Sequence, residues 1–167
     1  NVGYEAITNI VEERIKNGQY RSIKDFINRT DPKNINKLQL EGLVKAGAFD
    51  KLCSNRNLIY SSIPNLIIKS KNIFENKSTN QKDLFGNDDL NNNENFLIKD
   101  IKDWSFEDKL RKEFESIGFF ISDHPLSQFK DMYDQYNIKN YSEFKILDNS
   151  KETNIAGTLL KIQEKKT

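Results

Sequence analysis

Lys45, Ala46, Gly47 and Ala48 sit between two stretches that read as helices, and a short turn of small residues in that position has a chemistry: it can hold a phosphate. In Asn36 to Arg56, NKLQLEGLVKAGAFDKLCSNR, Leu40, Leu43 and Val44 recur at three- and four-residue steps and give the first helix an apolar face. Asn36 with Gln39 is a capping-box pattern at its start. Gly47 tolerates backbone conformations closed to other residues, so the chain can reverse there without strain. Such a turn is expected to leave backbone N–H groups open at the start of the next helix, where the dipole end is positive and an oxyanion is held well. Lys45 would add a point charge. The same residues would also serve as an ordinary turn of a helical hairpin.

A second, weaker copy opens the chain. Val2, Gly3 and Tyr4 precede EAITNIVEERIKN, in which Ile7, Ile10, Val11 and Ile15 form one apolar stripe. Gly3 and Gly47, 44 residues apart, would each feed a helix. Two such units suggest a tandem helix-hairpin-helix module, which grips a nucleic-acid backbone without reading its sequence. The candidate contacts are Val2, Gly3, Tyr4, Lys37, Lys45, Ala46, Gly47 and Ala48. The chain opens on Asn1 with no initiator Met, so it reads as a piece of a longer protein.

No catalytic set assembles from the remaining polar residues. The lone His124, beside Pro125, fits a turn residue bonded to backbone. Glu12–Glu13 and Asp88–Asp89 are adjacent in sequence and read as solvated surface, not a metal pair. The one cysteine, Cys53, excludes an internal disulfide and, with one His, a cysteine-cluster zinc site; it reads as a small, buried or half-buried residue. Glycines are scattered, without a phosphate-binding loop or dinucleotide fingerprint. No cofactor and no metal are expected. The 18 aromatic residues fall on helical stripes and are expected to be mostly core.

Composition narrows the class. A mean hydropathy of −0.75 and 31% charged residues fit a soluble chain. No apolar run nears the ~20 residues of a membrane span, so no membrane partner is expected. Within the net charge of +1, residues 1–70 carry 11 basic and 7 acidic side chains, and 71–108 carry 5 and 9. The first stretch is mildly basic, a modest footprint for nucleic-acid binding. Lysines outnumber arginines 21 to 5, which reads as codon bias of an AT-rich genome.

The organisation follows from periodicity. Asn17–Gly18 stops the first helix; Ser22 with Asp25 caps a short one carrying Ile23, Phe26 and Ile27. Asn55 to about Ser70 is again helical, with Ile59, Ile63, Leu66 and Ile67 on one side and Pro64 expected to kink or restart it. Residues 1–70 thus form one helical unit. Residues 71–103, rich in Asn, Asp and Lys and without periodicity, read as a flexible linker. Within it, Gln81-Lys82-Asp83-Leu84-Phe85 places two apolar side chains in a polar tract; they either dock on a partner or pin the loop to their own domain. Residues 104–147 return to helix, with Ser105 and Asp108 as a cap, Leu110, Phe114 and Ile117 on one face, and Gly118 as the stop. Phe119 to Ser122 reads as a brief extended segment, and Leu126, Phe129, Met132, Tyr133 and Tyr136 line a further helix. Lys139 to Leu147 is ambiguous. Asn154 to Gln163 alternates as a strand does, with Ala156, Leu160 and Ile162 on one face.

With these residues in view, the chain resembles the bacterial replicative DNA polymerases of the C family, the polymerase III alpha subunits, in the part that follows the fingers. Three signatures occur in order: V-G-x-x-A-I from Val2 with its trailing Glu-Arg, N-K-x-x-L-E-x-L-x-K-A-G-A-F-D from Asn36, and IGFFISDHPL over Ile117 to Leu126. The family usually carries Gly where this chain has Asn1. The resemblance implies a mainly α fold: a tandem helix-hairpin-helix bundle, a second small helical segment, and in 154–167 the first strand of a truncated OB barrel. It implies duplex DNA as a sequence-independent partner. It also implies that Gln81, Asp83, Leu84 and Phe85 dock into the sliding clamp (the beta subunit), and that other replisome subunits are met through the full-length protein. The family's catalytic carboxylates would lie upstream of Asn1, so the chain alone is expected to be inactive, within a cytoplasmic polymerase. Two other classes remain open: a helix-hairpin-helix module of a repair or recombination protein, and a helical protein-docking domain.

Overall fold

The computed structural model describes residues 3–79, 97–98, 100–147, 152–160 and 162–165. Val2 and all of Gln81, Asp83, Leu84 and Phe85 lie outside the described residues. The chain divides into two compact units, Asn1–Ile121 and Ser122–Thr167.

Among the described residues the first unit holds five helices: α1 Tyr4–Asn17, α2 Ile23–Arg29, α3 Lys37–Lys45, α4 Arg56–Thr79 and α5 Phe106–Ile117. The caps that start them are local. Ser22 accepts the Asp25 N–H, Asn36 and Gln39 exchange both bonds of a capping box, and Ser105 accepts the Asp108 N–H. The Asn55 side chain accepts the Leu58 N–H at 2.9 Å, and the Asp103 carboxylate accepts that of Asn57 at 3.1 Å, so two side chains close the first turn of α4. The core joins Ile23, Phe26 and Ile27 of α2, Leu40 and Val44 of α3, Phe49 of the following turn, and Ile59, Ile63 and Leu66 of α4. Phe26 packs edge-to-face on both Tyr20 and Phe49. Burying side chains of this size contributes roughly 1.5–3 kcal/mol each. Arg29 ties α1 to α2: it bonds the Glu13 and Asp25 carboxylates and the carbonyls of Glu13 and Gly18, stacked 4.5 Å from the Tyr20 ring centroid.

Several expectations are corrected. The apolar stripe of α1 is only partly covered: Ala6 is its one buried residue and Ile15 is exposed, because this helix lies at the edge of the bundle. Helix α4 does not end near Ser70 but runs to Thr79, since buried Ser70 and half-buried Ile73 follow the line of Ile59, Ile63 and Leu66 and Lys77 Nζ donates to the Asn28 carbonyl at 2.8 Å. Pro64 lies on its exposed side and the helix continues through it. The end of the expected linker is anchored. Leu97 packs against the core, the Ile98 N–H donates to Ser62 Oγ at 2.9 Å, and Asn55 and Asn57 donate to the carbonyls of Ile101 and Lys102. Helix α5 belongs to the first unit, docked on α3 through Ser116 Oγ to the Gly42 carbonyl at 3.0 Å, so the expected 104–147 extension is divided after Ile121.

The second unit contains a 3₁₀ turn at Pro125–Phe129, α6 Lys130–Gln135 and α7 Tyr141–Ile146. His124 Nδ1 accepts the Leu126 N–H, the backbone-bonded turn role expected of it. The ambiguous stretch resolves as α7, opened by a capping box between Asn140 and Glu143. None of this unit's described residues is buried. The expectation of a mostly core role for the aromatics fails with it: among the described residues only Phe26 and Phe49 are buried aromatics. The expected strand over 154–163 is also not formed among the described residues. A strand needs a partner ladder, and the segment has one parallel bridge, Ile138 to Asn154, with Ile155, Leu159, Leu160 and Ile162 exposed. Phe119 to Ser122 likewise forms bends and no strand. No described helix is long and apolar enough to cross a membrane.

Candidate nucleic-acid interface

The turn after α3 is built as a helix stop. Gly47 has φ +76°, the left-handed conformation expected of it. Ala48 N–H donates to the Leu43 carbonyl and Gly47 N–H to that of Val44, the paired bonds of a Schellman motif, while Ala46 N–H donates to Gly42. The amides of Ala46, Gly47 and Ala48 therefore close α3. They are not the open donors that the sequence pattern suggested, because the left-handed glycine turns them back onto the last helical carbonyls.

A buried arginine fills the inner side of this turn. Arg56 is 4% exposed; its Nε and Nη2 bond both Asp50 oxygens at 2.8 and 2.6 Å, and Nη1 donates to the Lys45 carbonyl at 3.2 Å. On its other side lies Glu113 of α5, 3.6 Å away and fully buried, which also accepts the Ile121 N–H. The Asp50 hydrogen bond holds the guanidinium pKa above its ordinary value, against the opposing effect of burial and with help from Glu113. A Cβ on Gly47 would stand 2.7 Å from Arg56 Cζ and 2.9 Å from Asp50 Oδ2, and closer still to Nη2. Gly47 is thus required twice, by its φ and by the guanidinium against it. The sequence reading missed this Asp50–Arg56–Glu113 chain. A signal was present: in a chain of 21 lysines and 5 arginines, an arginine marks a place where a rigid, forked donor is needed.

Lys45 is half-buried, 3.9 Å from Glu115 and 5.9 Å from the Tyr60 ring centroid. The start of α3 is more open. Its capping box engages the N–H groups of Asn36 and Gln39, while Lys37 and Leu38 are exposed, Lys37 Nζ lying 3.9 Å from Glu41. The start of α1 adjoins it: a Cβ on Gly3 would lie 3.9 Å from Gln39 Nε2. Gly3 precedes α1 in an extended conformation, φ −63° and ψ 147°, and Tyr4 is 88% exposed. The structure so brings Gly3, Tyr4 and Lys37 together at two adjoining helix starts, each a positive dipole end. The other candidates, Lys45 to Ala48, lie at the opposite end of α3. Among the described residues no group of three or more His, Cys, Asp or Glu side chains is arranged to hold a metal ion.

Comparison with known proteins bears on this geometry. Residues 1–59 match the family model of the helix-hairpin-helix motif. The DNA polymerase III alpha subunit of Borreliella burgdorferi is 36% identical over 142 residues, covering 84% of this chain and 12% of that protein. That of Rickettsia conorii is 36% identical over 155 residues, 91% of this chain and 13% of its own. That of Buchnera aphidicola is 33% identical over 172 aligned residues, 99% of this chain and 15% of its own. The chain spans about an eighth of the length of these curated relatives.

Proposed function

The chain belongs with the DNA polymerase III alpha subunits, as a segment of one, and from that premise we propose that it holds duplex DNA behind a replicative polymerase site and tethers that polymerase to its sliding clamp. The match to alpha subunits over 84% to 99% of the chain carries this reading. On the DNA side, helix-hairpin-helix geometry grips phosphates and not base edges. The adjoining starts of α1 and α3, with Gly3, Tyr4 and Lys37, supply first-turn amides and one exposed cation. Lys45 contributes as a partly neutralised charge. Its neighbours Ala46, Gly47 and Ala48 act by shaping the turn and not by direct donation.

On the clamp side, Gln81, Asp83, Leu84 and Phe85 form a short recognition peptide. Leu84 and Phe85 would fill an apolar pocket, at about 1.5–3 kcal/mol each by apolar transfer, with Gln81 bonding its rim. The C-terminal stretch from Asn154 would complete an OB barrel only with strands supplied by the longer protein. Polymerase activity, the cytoplasmic setting and the remaining replisome partners belong to that longer protein.

Capture on immobilised, purified clamp tests the tether. The parent chain should be retained, and the Leu84→Ala/Phe85→Ala double variant lost while its helical content and duplex binding are unchanged. A double variant that unfolds would make the pair core residues, and a folded one that still binds would place the contact elsewhere; either outcome removes the proposed tether.

A further inference from the structure

Helix α5 lies beyond the 1–59 helix-hairpin-helix match, yet it packs on α3 within the first unit and brings a second cation to the Tyr60 ring that Lys45 also approaches. Tyr60 of α4 and Trp104 meet edge-to-face, centroids 5.3 Å apart. Lys112 Nζ lies 4.6 Å from the Trp104 centroid and 5.8 Å from that of Tyr60, and Lys45 Nζ lies 5.9 Å from the same Tyr60 ring. Two ammonium groups thus share one aromatic ring.

The carboxylates nearby are otherwise engaged. Asp108, one turn before Lys112, is bonded to Ser105 and Arg111 and meets the Lys112 charge only through space. Asp103 is paired with Lys109 and accepts the amides of Asn57 and Trp104. Glu115, 3.9 Å from Lys45, is half exposed and screened by water. An aromatic face attracts an ammonium through its quadrupole without accepting a strong hydrogen bond, so the three N–H donors of Lys112 keep their capacity for an oxyanion. Both lysine stems are half-buried, so little side-chain freedom remains to be lost on binding.

We propose that Lys112, held by Trp104 and by the Tyr60 ring that it shares with Lys45, is an additional phosphate contact that extends the DNA-binding face of the hairpin unit onto α5. The inference rests on the duplex-binding reading above. Two measurements on the full 167-residue chain test it. In titrations of a duplex at several salt concentrations, Lys112→Gln should bind several-fold more weakly and lower the magnitude of the salt slope by about 1, with Lys112→Arg restoring it. In the unaltered chain, duplex should slow acetylation of the Lys112 amine, followed by mass spectrometry, which decides the matter even if Lys112→Gln fails to fold. A parent chain that binds duplex while Lys112 acetylates at its free rate, or while folded Lys112→Gln keeps the parent slope, overturns this contact and leaves the wider reading standing. A parent chain that does not bind duplex at all overturns the wider reading itself.

Discussion

Gly47→Ala separates the two demands that the structure places on this residue. A left-handed conformation costs an alanine about 1–2 kcal/mol. The new Cβ would also stand 2.7 Å from Arg56 Cζ, so the guanidinium must leave its paired bonds to Asp50. Losing that charge-assisted pair costs about 1.5–3 kcal/mol more. The total is about 2.5–5 kcal/mol, a large part of the ~5–15 kcal/mol typical of a domain. The same substitution in an Arg56→Met/Glu113→Gln background meets no guanidinium, and the Gln keeps an acceptor for the Ile121 N–H. There it should cost only the backbone term, about 1–2 kcal/mol. Urea unfolding followed by the fluorescence of the single tryptophan, Trp104, and by circular dichroism gives both differences. The expected coupling between the sites is about 1.5–3 kcal/mol. Equal costs in the two backgrounds would refute the reasoning, leaving Gly47 needed for its φ alone.

Two further expectations concern single charged residues. Burial works to raise the Asp103 carboxyl, but Lys109 and the N–H groups of Asn57 and Trp104 outweigh it and hold the carboxyl below its ordinary range. A depressed folded pKa gives stability that is present above the unfolded value, about 3.9, and lost as pH falls through the folded one. Urea midpoints of the parent should therefore drop between about pH 5 and pH 2, and those of Asp103→Asn should drop less; parallel curves would show that Asp103 is not part of the linkage. Lys37→Gln should weaken duplex binding several-fold at an unchanged melting temperature, because its exposed pair with Glu41 contributes little. Loss of stability with binding intact would give Lys37 a structural role.

What could be read along the chain was what neighbours in sequence decide. The Ser22, Asn36 and Ser105 caps and the left-handed Gly47 all rest on contacts within a few residues, and each occurs as the pattern predicts. What could not be read depends on residues far apart. Arg56 is buried because Asp50 and Glu113 flank it, and Glu113 itself looks like any surface residue of a charged helix. Ile73 packs half-buried against the core within a polar stretch that reads as linker. The spacing of Gly47 likewise announces a turn, but not whether its amides face outward or close the preceding helix, as they do here. At the other end of α3, Gly3 adjoins Gln39, a proximity that no spacing along the chain announces. Alternation over 154–163 has the period of a strand, but pairing is a property of two segments, and the described residues supply one bridge.

Titration of the full chain with two duplexes of unrelated sequence, at salt concentrations from about 50 to 200 mM, tests the central claim most directly. Equal affinities for the two duplexes are expected, with log K falling against log salt at a slope of roughly −2 to −4, the signature of a few phosphate contacts. A strong preference for one sequence, binding indifferent to salt, or no binding to either duplex would contradict the account.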